Sequence, residues 1–237
     1  MKLNINKSVV VITPTVNSTK LQDAIESVKN QTYKNIEHLV VLDGIEYLKD
    51  TTGLPSYVTP SIVPYNTGAN GYYGHRIYAA YSHLVKQDYV IFLDEDNWFK
   101  EDHIETLVNT LETNAYDFAH SLRSIYSLDK TYLLDDNCES LGSYPIFGDG
   151  RNGHLVDTSS YLFKREFLIQ YGHVWHSGWG ADRNFFNTVR SHSRYGCTGK
   201  HTLCYRLDGN PNSVNESFFK QGNDLTKKLY GEYPWNK

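Results

Sequence analysis

The sequence contains few cysteines, and they are not spaced for pairing. Cys138, Cys197 and Cys204 are the three cysteines in 237 residues. An odd number without Cys-x-x-Cys spacing argues against a zinc ribbon and against a disulfide framework. We therefore expect a protein of a reducing compartment, the cytoplasm.

Long hydrophobic runs and an excess of positive charge are also missing. No apolar run approaches the roughly 18–20 residues that a membrane-spanning helix needs, and the polar start at residues 1–7 leads us to expect no signal peptide. The net charge of −4 disfavours electrostatic binding to nucleic acid or to an anionic membrane. These absences favour a globular protein with one large domain and no nucleic-acid partner.

Aromatic residues, in contrast, are abundant. They make up 14% of the chain, with 19 Tyr and 4 Trp. Tyr and Trp combine an apolar face with a polar tip, which suits the binding of sugars and bases. A tyrosine-rich core and surface explains the same composition equally well.

The first 97 residues alternate between short apolar runs and helical spacing. Runs rich in β-branched residues predict strands at 8–13, 36–42 and 89–93, and apolar residues at helical spacing predict a helix at 21–28. A strand, a helix and a strand in immediate succession form a βαβ unit. Such a unit implies a parallel sheet with a right-handed crossover.

The rest of the chain continues the α/β pattern. We predict one α/β domain with a mostly parallel central sheet flanked by helices. The further elements expected are a short strand at 61–63, helices at 74–84 and around 104–111, a strand pair at 118–126 and 131–134, a long loop at 135–153, a strand at 158–163, helices from 165 and from 180, and a strand at 200–206. A loop as long as 135–153 is more often functional than idle.

An acidic triplet provides the strongest chemical signal. Asp94, Glu95 and Asp96 directly follow the predicted buried strand at 89–93. Ligands of open α/β sheets bind at the carboxyl ends of strands, and carboxylates two residues apart can both turn toward one hard cation such as Mg²⁺ or Mn²⁺. The alternative is a solvated acidic turn that caps the next helix.

The order of several motifs resembles a family 2 glycosyltransferase with the GT-A fold. The motifs are Thr13-Pro14-Thr15 after the first strand, Asp43 after the second, Asp94-Glu95-Asp96 in the place of the DXD motif, a glycine-rich stretch of Gly68, Gly71 and Gly74 that ends in Arg76, and Gly178-Trp179-Gly180-Ala181-Asp182. The resemblance covers most of the chain. It implies a single domain over 1–237, with a donor half at 1–97, an acceptor half at 98–209 and a tail at 210–237 that packs on the domain.

For the donor half, the resemblance implies a site for a nucleoside diphosphate sugar, with uridine as the expected base. The residues implied are Thr13, Pro14, Thr15, Asp43, Gly71, Arg76, Asp94 and Glu95. It also implies Mn²⁺ or Mg²⁺ bound by Asp96 and His201, with Asp94 as a further candidate ligand. Taken alone, the threonines and proline read as a strand terminator, and Asp43 with Gly44 reads as a turn.

For the acceptor half, the resemblance implies that Asp182 is the general base. Its spacing from the apolar residues that follow places it in the first turn of a helix, where a carboxylate is either an N-terminal cap or a functional acid. Ala181 departs from the family, which commonly has Glu at this position. Candidate acceptor contacts are Trp175, Trp179, His154 and Asp157, with core aromatics and a hydrogen-bonded loop histidine as the alternatives.

The function implied is metal-dependent, inverting sugar transfer from a nucleoside diphosphate to an acceptor hydroxyl, as in polysaccharide biosynthesis. One alternative is a non-catalytic sugar- or nucleotide-binding module that kept the fold. Another is a sugar nucleotidyltransferase, against which the first strand lacks a following glycine-rich loop with Arg or Lys. A nuclease is disfavoured by the acidic charge balance.

Overall fold

The computed structural model describes residues 6–48, 54–144, 154–210 and 213–236. The second part of the predicted long loop, residues 145–153, lies outside the described residues. The strands are β1 Val9–Thr15, β2 Ile36–Leu42, β3 Val58–Ile62, β4 Tyr89–Phe92, β5 Trp98–Phe99, β6 Phe118–Tyr126, β7 Tyr132–Asp135, β8 Tyr161–Lys164 and β9 Tyr195–Arg206. The helices are α1 Leu21–Lys29, α2 His75–Tyr81, α3 His103–Thr113, α4 Arg165–Tyr171, α5 Ala181–Val189 and α6 Glu216–Tyr230.

The described strands form one nine-stranded sheet in the order β3-β2-β1-β4-β8-β6-β9-β5, with β7 paired to β6. The β3-β2-β1-β4 part is parallel. Beyond β4 the sheet is mixed, because β8 is antiparallel to β4 and β6, and β5 and β7 are antiparallel to their partners. Only β6 and β9 pair in parallel there. Buried apolar runs reveal strands but not their direction, and β6 and β7 are joined by a tight hairpin that forces antiparallel pairing.

Strand β1 shows why the sheet is covered on both faces. All seven of its residues are buried, and its side chains alternate between two cores. Val10 and Ile12 pack with α2, α4 and α5, whereas Val9 and Val11 pack with α1 and α3. This alternation with period two is what places a continuous apolar run in the centre of a three-layer structure.

The register aligns the carboxyl ends of the parallel strands. Thr15 pairs with Leu42 of β2, and Ile12 pairs with Phe92 of β4. The residues that follow β2 and β4 therefore emerge beside the end of β1. Strand β3 forms the outer edge and contains Pro60, which is tolerated because an edge strand has a side without a ladder partner.

Two local differences from prediction have clear causes. Residues 158–160, expected as the start of a strand, form a 3-10 turn before β8, because the Asp157 side chain accepts a hydrogen bond from the Ser159 amide. The polar tail contains α6. Phe219 of this helix is buried against Ile125 and Cys138. Trp235, after α6, packs on Leu122. Helix α6 and the segment after it thus pack on β6.

The first testable prediction concerns three buried histidines, His38, His103 and His120. Burial lowers their pKa values to about 3, 3 and 4, from an ordinary value of 6.5. The unfolded chain therefore binds more protons than the folded chain below pH 6.5, and stability falls as the pH falls. In His103→Gln this contribution is absent. We expect the difference in unfolding free energy between wild type and His103→Gln to shrink by roughly 2 kcal/mol from pH 7.5 to pH 5.

The measurement is urea unfolding of both proteins at the two pH values. Exposed His83 supplies the control, because His83→Gln should run parallel to wild type at both. A constant difference between wild type and His103→Gln would show that His103 is not held neutral by burial.

Candidate active site

A cavity of about 660 Å³ opens at the aligned carboxyl ends of β1, β2 and β4. Its lining is strongly acidic. Seven carboxylate side chains contribute to it, namely Asp43, Asp94, Glu95, Asp96, Glu139, Asp157 and Asp182. The cationic side chains in the lining are Arg123 and Arg183. The structure therefore brings together the predicted carboxylates of both halves.

The end of β1 contributes Pro14 and Thr15 to the cavity. The Thr15 hydroxyl donates to the Glu95 carboxylate, which also accepts a hydrogen bond from the Ser18 amide at 3.2 Å. Thr13 is fully buried beneath them, and its hydroxyl pairs with His38 Nε2 at 2.9 Å. Pro14 and Thr15 thus line the cavity directly, and Thr13 supports them from below.

Asp43 anchors the loop that follows β3. Its carboxylate accepts hydrogen bonds from the Thr67 amide at 2.7 Å, the Thr67 hydroxyl at 2.6 Å and the Gly68 amide at 2.8 Å. Gly68 is required because a Cβ there would lie 2.4 Å from the Tyr73 carbonyl oxygen. The predicted nucleotide residue Asp43 therefore also fixes one wall of the cavity.

The glycine-rich segment meets the cavity at Gly68, Tyr73, Gly74 and His75. Gly71 and Arg76, the predicted contacts, are not among the lining residues. Instead the Arg76 guanidinium lies 3.4 Å from the Tyr72 ring centroid and donates to the Thr67 carbonyl at 3.2 Å. Arg76 therefore contacts residues of its own loop, and its predicted contact with a diphosphate stays a prediction.

All three residues of the acidic triplet line the cavity. Asp94 accepts a hydrogen bond from the Tyr78 hydroxyl at 2.7 Å and one from the Ser159 hydroxyl at 3.3 Å. Burial, followed by the charges of Asp157 and Asp96, raises its pKa to about 7. Among the described residues, Asp96 forms an ion pair with Lys20, whose Nζ is 3.8 Å from Asp96 Oδ2. Burial also raises the pKa of Asp96.

These carboxylates fit a hard divalent cation. The charge of Asp96 raises the pKa of Asp94, which means that a positive charge beside the two carboxylates would relieve repulsion. Oxygen ligands of this kind suit Mg²⁺ and Mn²⁺, which commonly complete their coordination with water and substrate phosphates. Within the described parts of the chain, no three His, Cys, Asp or Glu side chains form a ready-made metal site. A cation here would therefore be coordinated partly by these carboxylates and partly by the oxygens of a bound diphosphate.

His201 lies away from the cavity lining. It belongs to β9, where its Nδ1 is 3.9 Å from Asp135 Oδ2. Its Nε2 is buried and has no hydrogen-bond partner among the described residues. The structure does not bring His201 together with Asp96, and its role as a metal ligand stays a prediction.

Asp182 lines the cavity from the first turn of α5. Gly180 precedes the helix with φ of 81°, a left-handed conformation that glycine adopts readily, and so turns the helix start toward the cavity. Burial, followed by the charge of Asp157, raises the pKa of Asp182 to about 6. Its carboxylate accepts a hydrogen bond from the next amide, Arg183, at 2.7 Å. The position and the pKa suit proton transfer near neutral pH.

The predicted acceptor residues divide into two groups. Trp179 lines the cavity and is 79% exposed, so its ring is available for stacking. Trp175 is fully buried and stacks on Phe185 with ring centroids 4.8 Å apart. Its interpretation as an acceptor contact is wrong, because the core encloses the ring. His154 bonds to the Gly142 carbonyl at 2.8 Å and does not line the cavity, which matches the alternative of a hydrogen-bonded loop histidine.

Sequence reasoning missed Arg123 and Glu139. The Arg123 guanidinium bonds to Asp136, Glu139 and Asp157 and lines the cavity from β6. The sequence contained one signal for Arg123, namely its place inside the strand predicted at 118–126. A charged residue that is buried in a strand rarely lacks a partner, so its place indicates an ion pair. The partners follow it by 13 to 34 residues, and pattern reading gives no means of pairing residues over such distances.

Comparison with known proteins decides the family. The family model described as "Glycosyl transferase family 2" matches residues 10–172. This segment contains β1 except for its first residue, every strand from β2 to β8, and the acidic triplet. The chain belongs to glycosyl transferase family 2. The predicted GT-A fold is confirmed with it.

Two further comparisons agree with this family. It is 26% identical over 192 residues to "Glycosyltransferase GlyA" of Streptococcus pneumoniae serotype 4, a match that covers 74% of this chain and 24% of that protein. The chain thus spans about a quarter of the length of this relative. A crystal structure of S. aureus TarS 1-349 has a TM-score of 0.60 at 12% identity and covers 94% of this chain and 72% of that one.

A second TarS structure is described as a complex with UDP-GlcNAc. Its TM-score is 0.62 at 13% identity, with 93% of this chain and 66% of that chain covered. At this identity the likeness concerns the fold. In the described part of this chain, no helix combines the length and the apolar character needed to cross a bilayer.

The second prediction tests the anchoring of the glycine-rich loop by Asp43. In Gly68→Ala, the new Cβ would lie 2.4 Å from the Tyr73 carbonyl and 2.8 Å from Asp43 Oδ2, so the loop must shift. We expect a loss of about 1–3 kcal/mol in unfolding free energy and faster exchange of the Thr67 and Gly68 amide hydrogens. Exposed Ala69 provides the control, since Ala69→Ser should behave as wild type. Unchanged stability and exchange in Gly68→Ala would contradict the anchoring.

Proposed function

We propose that the chain transfers a sugar from a nucleoside diphosphate, with uridine as the base, to a hydroxyl of a glycan acceptor with inversion at C1. The observation that carries this proposal is that Asp96 and Asp182 line the same cavity from opposite halves of the domain. One suits a cation on a diphosphate, and the other suits a proton acceptor. The cytoplasm, with its activated sugars and reducing conditions, is the proposed compartment.

The donor half, residues 1–97, would hold the nucleotide. Pro14, Thr15 and Asp43 line the end of the cavity beside β1 and β2. Carboxylate and backbone oxygens there can accept hydrogen bonds from the N–H groups of a base and the hydroxyls of a ribose. The uridine assignment is supported by the resemblance and by the UDP and UDP-GlcNAc complexes of TarS.

Asp96 and Asp94 are the residues that would hold Mg²⁺ or Mn²⁺. Such an ion, when bound, offsets the negative charge that develops on the leaving diphosphate. Lys20, 3.8 Å from Asp96, adds a positive charge at the same end of the cavity. Asp96 is the better ligand of the two, because hydroxyls of Tyr78 and Ser159 already occupy both Asp94 oxygens.

Asp182 would remove the acceptor proton. As the acceptor oxygen attacks C1, its proton passes to the Asp182 carboxylate, and the bond between C1 and the diphosphate oxygen breaks with its electrons remaining on the diphosphate. A pKa of about 6 keeps Asp182 ionised at neutral pH and basic enough to accept the proton. Because the base form is lost on protonation, the rate should fall as the pH drops through 6.

The acceptor would enter from the exposed side near Trp179. The ring of Trp179 at the cavity rim offers a flat apolar surface of the kind on which sugar rings stack. The adjacent carboxylates Glu139 and Asp157 can accept hydrogen bonds from sugar hydroxyls. A glycan acceptor is therefore proposed in preference to an anionic one.

The third prediction separates nucleotide binding from chemistry. Calorimetric titration of UDP should show binding that requires Mn²⁺ and that is weakened at least about tenfold in Asp96→Asn. Asp182→Asn should bind UDP as wild type does, yet release UDP from a panel of UDP-sugars with glycan acceptors about 10²–10⁴-fold more slowly. Wild-type UDP release should decline below pH 6.

Asp102→Asn is the matched control, because Asp102 is an exposed carboxylate paired with Lys200 outside the cavity. It should leave UDP binding and release intact. Failure of wild type to bind UDP with any divalent metal would contradict the transferase proposal and favour a sugar-binding module. Wild-type rates in Asp182→Asn would place the base elsewhere.

A further inference from the structure

Arg123 carries a contact set that the transfer reaction described above does not use. Its Nε bonds to Asp136 at 2.8 Å, one terminal nitrogen bonds to Asp157 at 2.7 Å, and the other bonds to Glu139. The side chain is 3% exposed. Each of the three guanidinium nitrogens therefore bonds to a different carboxylate, two of them from the turn after β7 and the third, Asp157, from the segment before β8.

The guanidinium is fixed in place by aromatic rings and by α6. It lies 4.5 Å from the ring centroid of Tyr205 and 5.4 Å from that of Phe219. The turn that carries Asp136 and Glu139 is tied to α6, since the Asn137 amide donates to Asn223 Oδ1 at 2.9 Å. Trp235 Nε1 donates to Asn137 Oδ1 at 2.9 Å. The position of Arg123 is thus fixed by contacts that continue, through the turn at Asn137, to α6 and the C-terminal segment.

Two of the three carboxylates face the same cavity as Asp182. Glu139 and Asp157 line it, and the Ser140 hydroxyl accepts a hydrogen bond from the Asp157 amide at 2.8 Å, so their segments are joined. Asp136 is fully buried behind them and is satisfied by the amides of residues 138–140. Within its own segment Asp182 has Ala181 before it and no acidic neighbour.

We propose that Arg123 is a positioning residue that gathers Glu139 and Asp157 beside Asp182 and so supplies the base with acidic neighbours from two distant segments. This proposal rests on the proposed function of Asp182. Without the guanidinium, the carboxylates of Glu139 and Asp157 would repel each other and Asp182. When Arg123 is present, its positive charge offsets part of the negative charge of Glu139 and Asp157. Both carboxylates can therefore remain close to Asp182.

The charges around Asp182 are consistent with this arrangement. The titratable and charged groups that face Asp182 are Arg183 on α5, Tyr161 on β8, Arg123 on β6, Glu139 and Asp157. After burial, the charge of Asp157 contributes most to raising the pKa of Asp182, Glu139 adds to it, and Arg123 opposes it. Asp157 is thus the neighbour on which the basicity of Asp182 depends most.

The test uses two isosteric variants, Asp157→Asn and Glu139→Gln. The Asp182 carboxyl is followed by carbon-13 NMR in protein labelled at aspartate, without donor or acceptor, and is assigned by its absence in Asp182→Asn. We expect its titration to move to lower pH by roughly half a unit or more in Asp157→Asn and by less in Glu139→Gln. The acid limb of the pH profile of UDP release should move the same way.

Asp135→Asn is the control, since Asp135 precedes the same turn but bonds to Ser124 at 2.7 Å and is not bonded to Arg123. It should leave the Asp182 titration unchanged. Arg123→Lys keeps the charge but loses the fork, and we expect about a tenfold or larger fall in kcat with UDP affinity retained.

Unchanged Asp182 titration in both isosteric variants would overturn the proposal, as would wild-type kcat in a folded Arg123→Lys. The isosteric pair decides the question if Arg123→Lys does not fold. Because the titration is read without substrates, its outcome does not depend on whether Asp182 proves to be the base.

Discussion

Repulsion between carboxylates at one end of a sheet is the constraint to which the rest of the structure responds. Parallel strands end side by side, and in this chain Asp43 directly follows β2 and Asp94 follows β4 after one residue, so negative charges meet in a half-buried cavity. Each carboxylate in the cavity is either stabilised by hydrogen bonds and ion pairs or left reactive. Asp43 is stabilised by backbone amides, Glu95 by a hydroxyl and an amide, and Asp157 by Arg123. Asp96 and Asp182 retain fewer partners, and these two have the proposed chemical roles.

The same logic explains why the second half of the domain is built around a buried arginine. A charged pair in the interior is costly to desolvate and stabilises only if its remaining hydrogen-bonding capacity is met. Arg123 meets this condition with three carboxylates, and these raise its pKa well above the ordinary value despite burial. Strand β6, the turn after β7 and the segment before β8 are thereby joined at one point, from which α6 extends the support to the C-terminal residues.

Prediction from sequence succeeded where the signal was local. The apolar runs of β1, β2 and β4 and the helical spacing of α1, α3 and α5 follow directly from burial on one or two faces, and each is present near the expected residues. The direction of β8 and the 3-10 turn at 158–160 could not be predicted, because one depends on tertiary pairing and the other on a single side-chain bond from Asp157.

For the site, the sequence located residues that follow strands or begin helices, and it failed for residues defined by distant partners. Asp94 and Asp96 were predicted from their place after a strand and Asp182 from the resemblance, and all three line the cavity. Trp175 was misassigned because an aromatic residue beside a glycine-rich motif gives no indication of whether it faces inward. Arg123 was missed because its role depends on ion pairs with Asp136, Glu139 and Asp157, which only the folded chain brings together.

The central claim is that the acidic triplet binds a divalent cation together with a nucleoside diphosphate. The most direct measurement is an anomalous difference map, recorded at the manganese edge, from crystals of the protein grown with UDP and Mn²⁺. The account predicts one strong peak in the cavity, within coordination distance of the Asp96 carboxylate and of the UDP phosphates. Bound UDP without such a peak, or a peak beside His201 and Asp135 with none at Asp96, would contradict it.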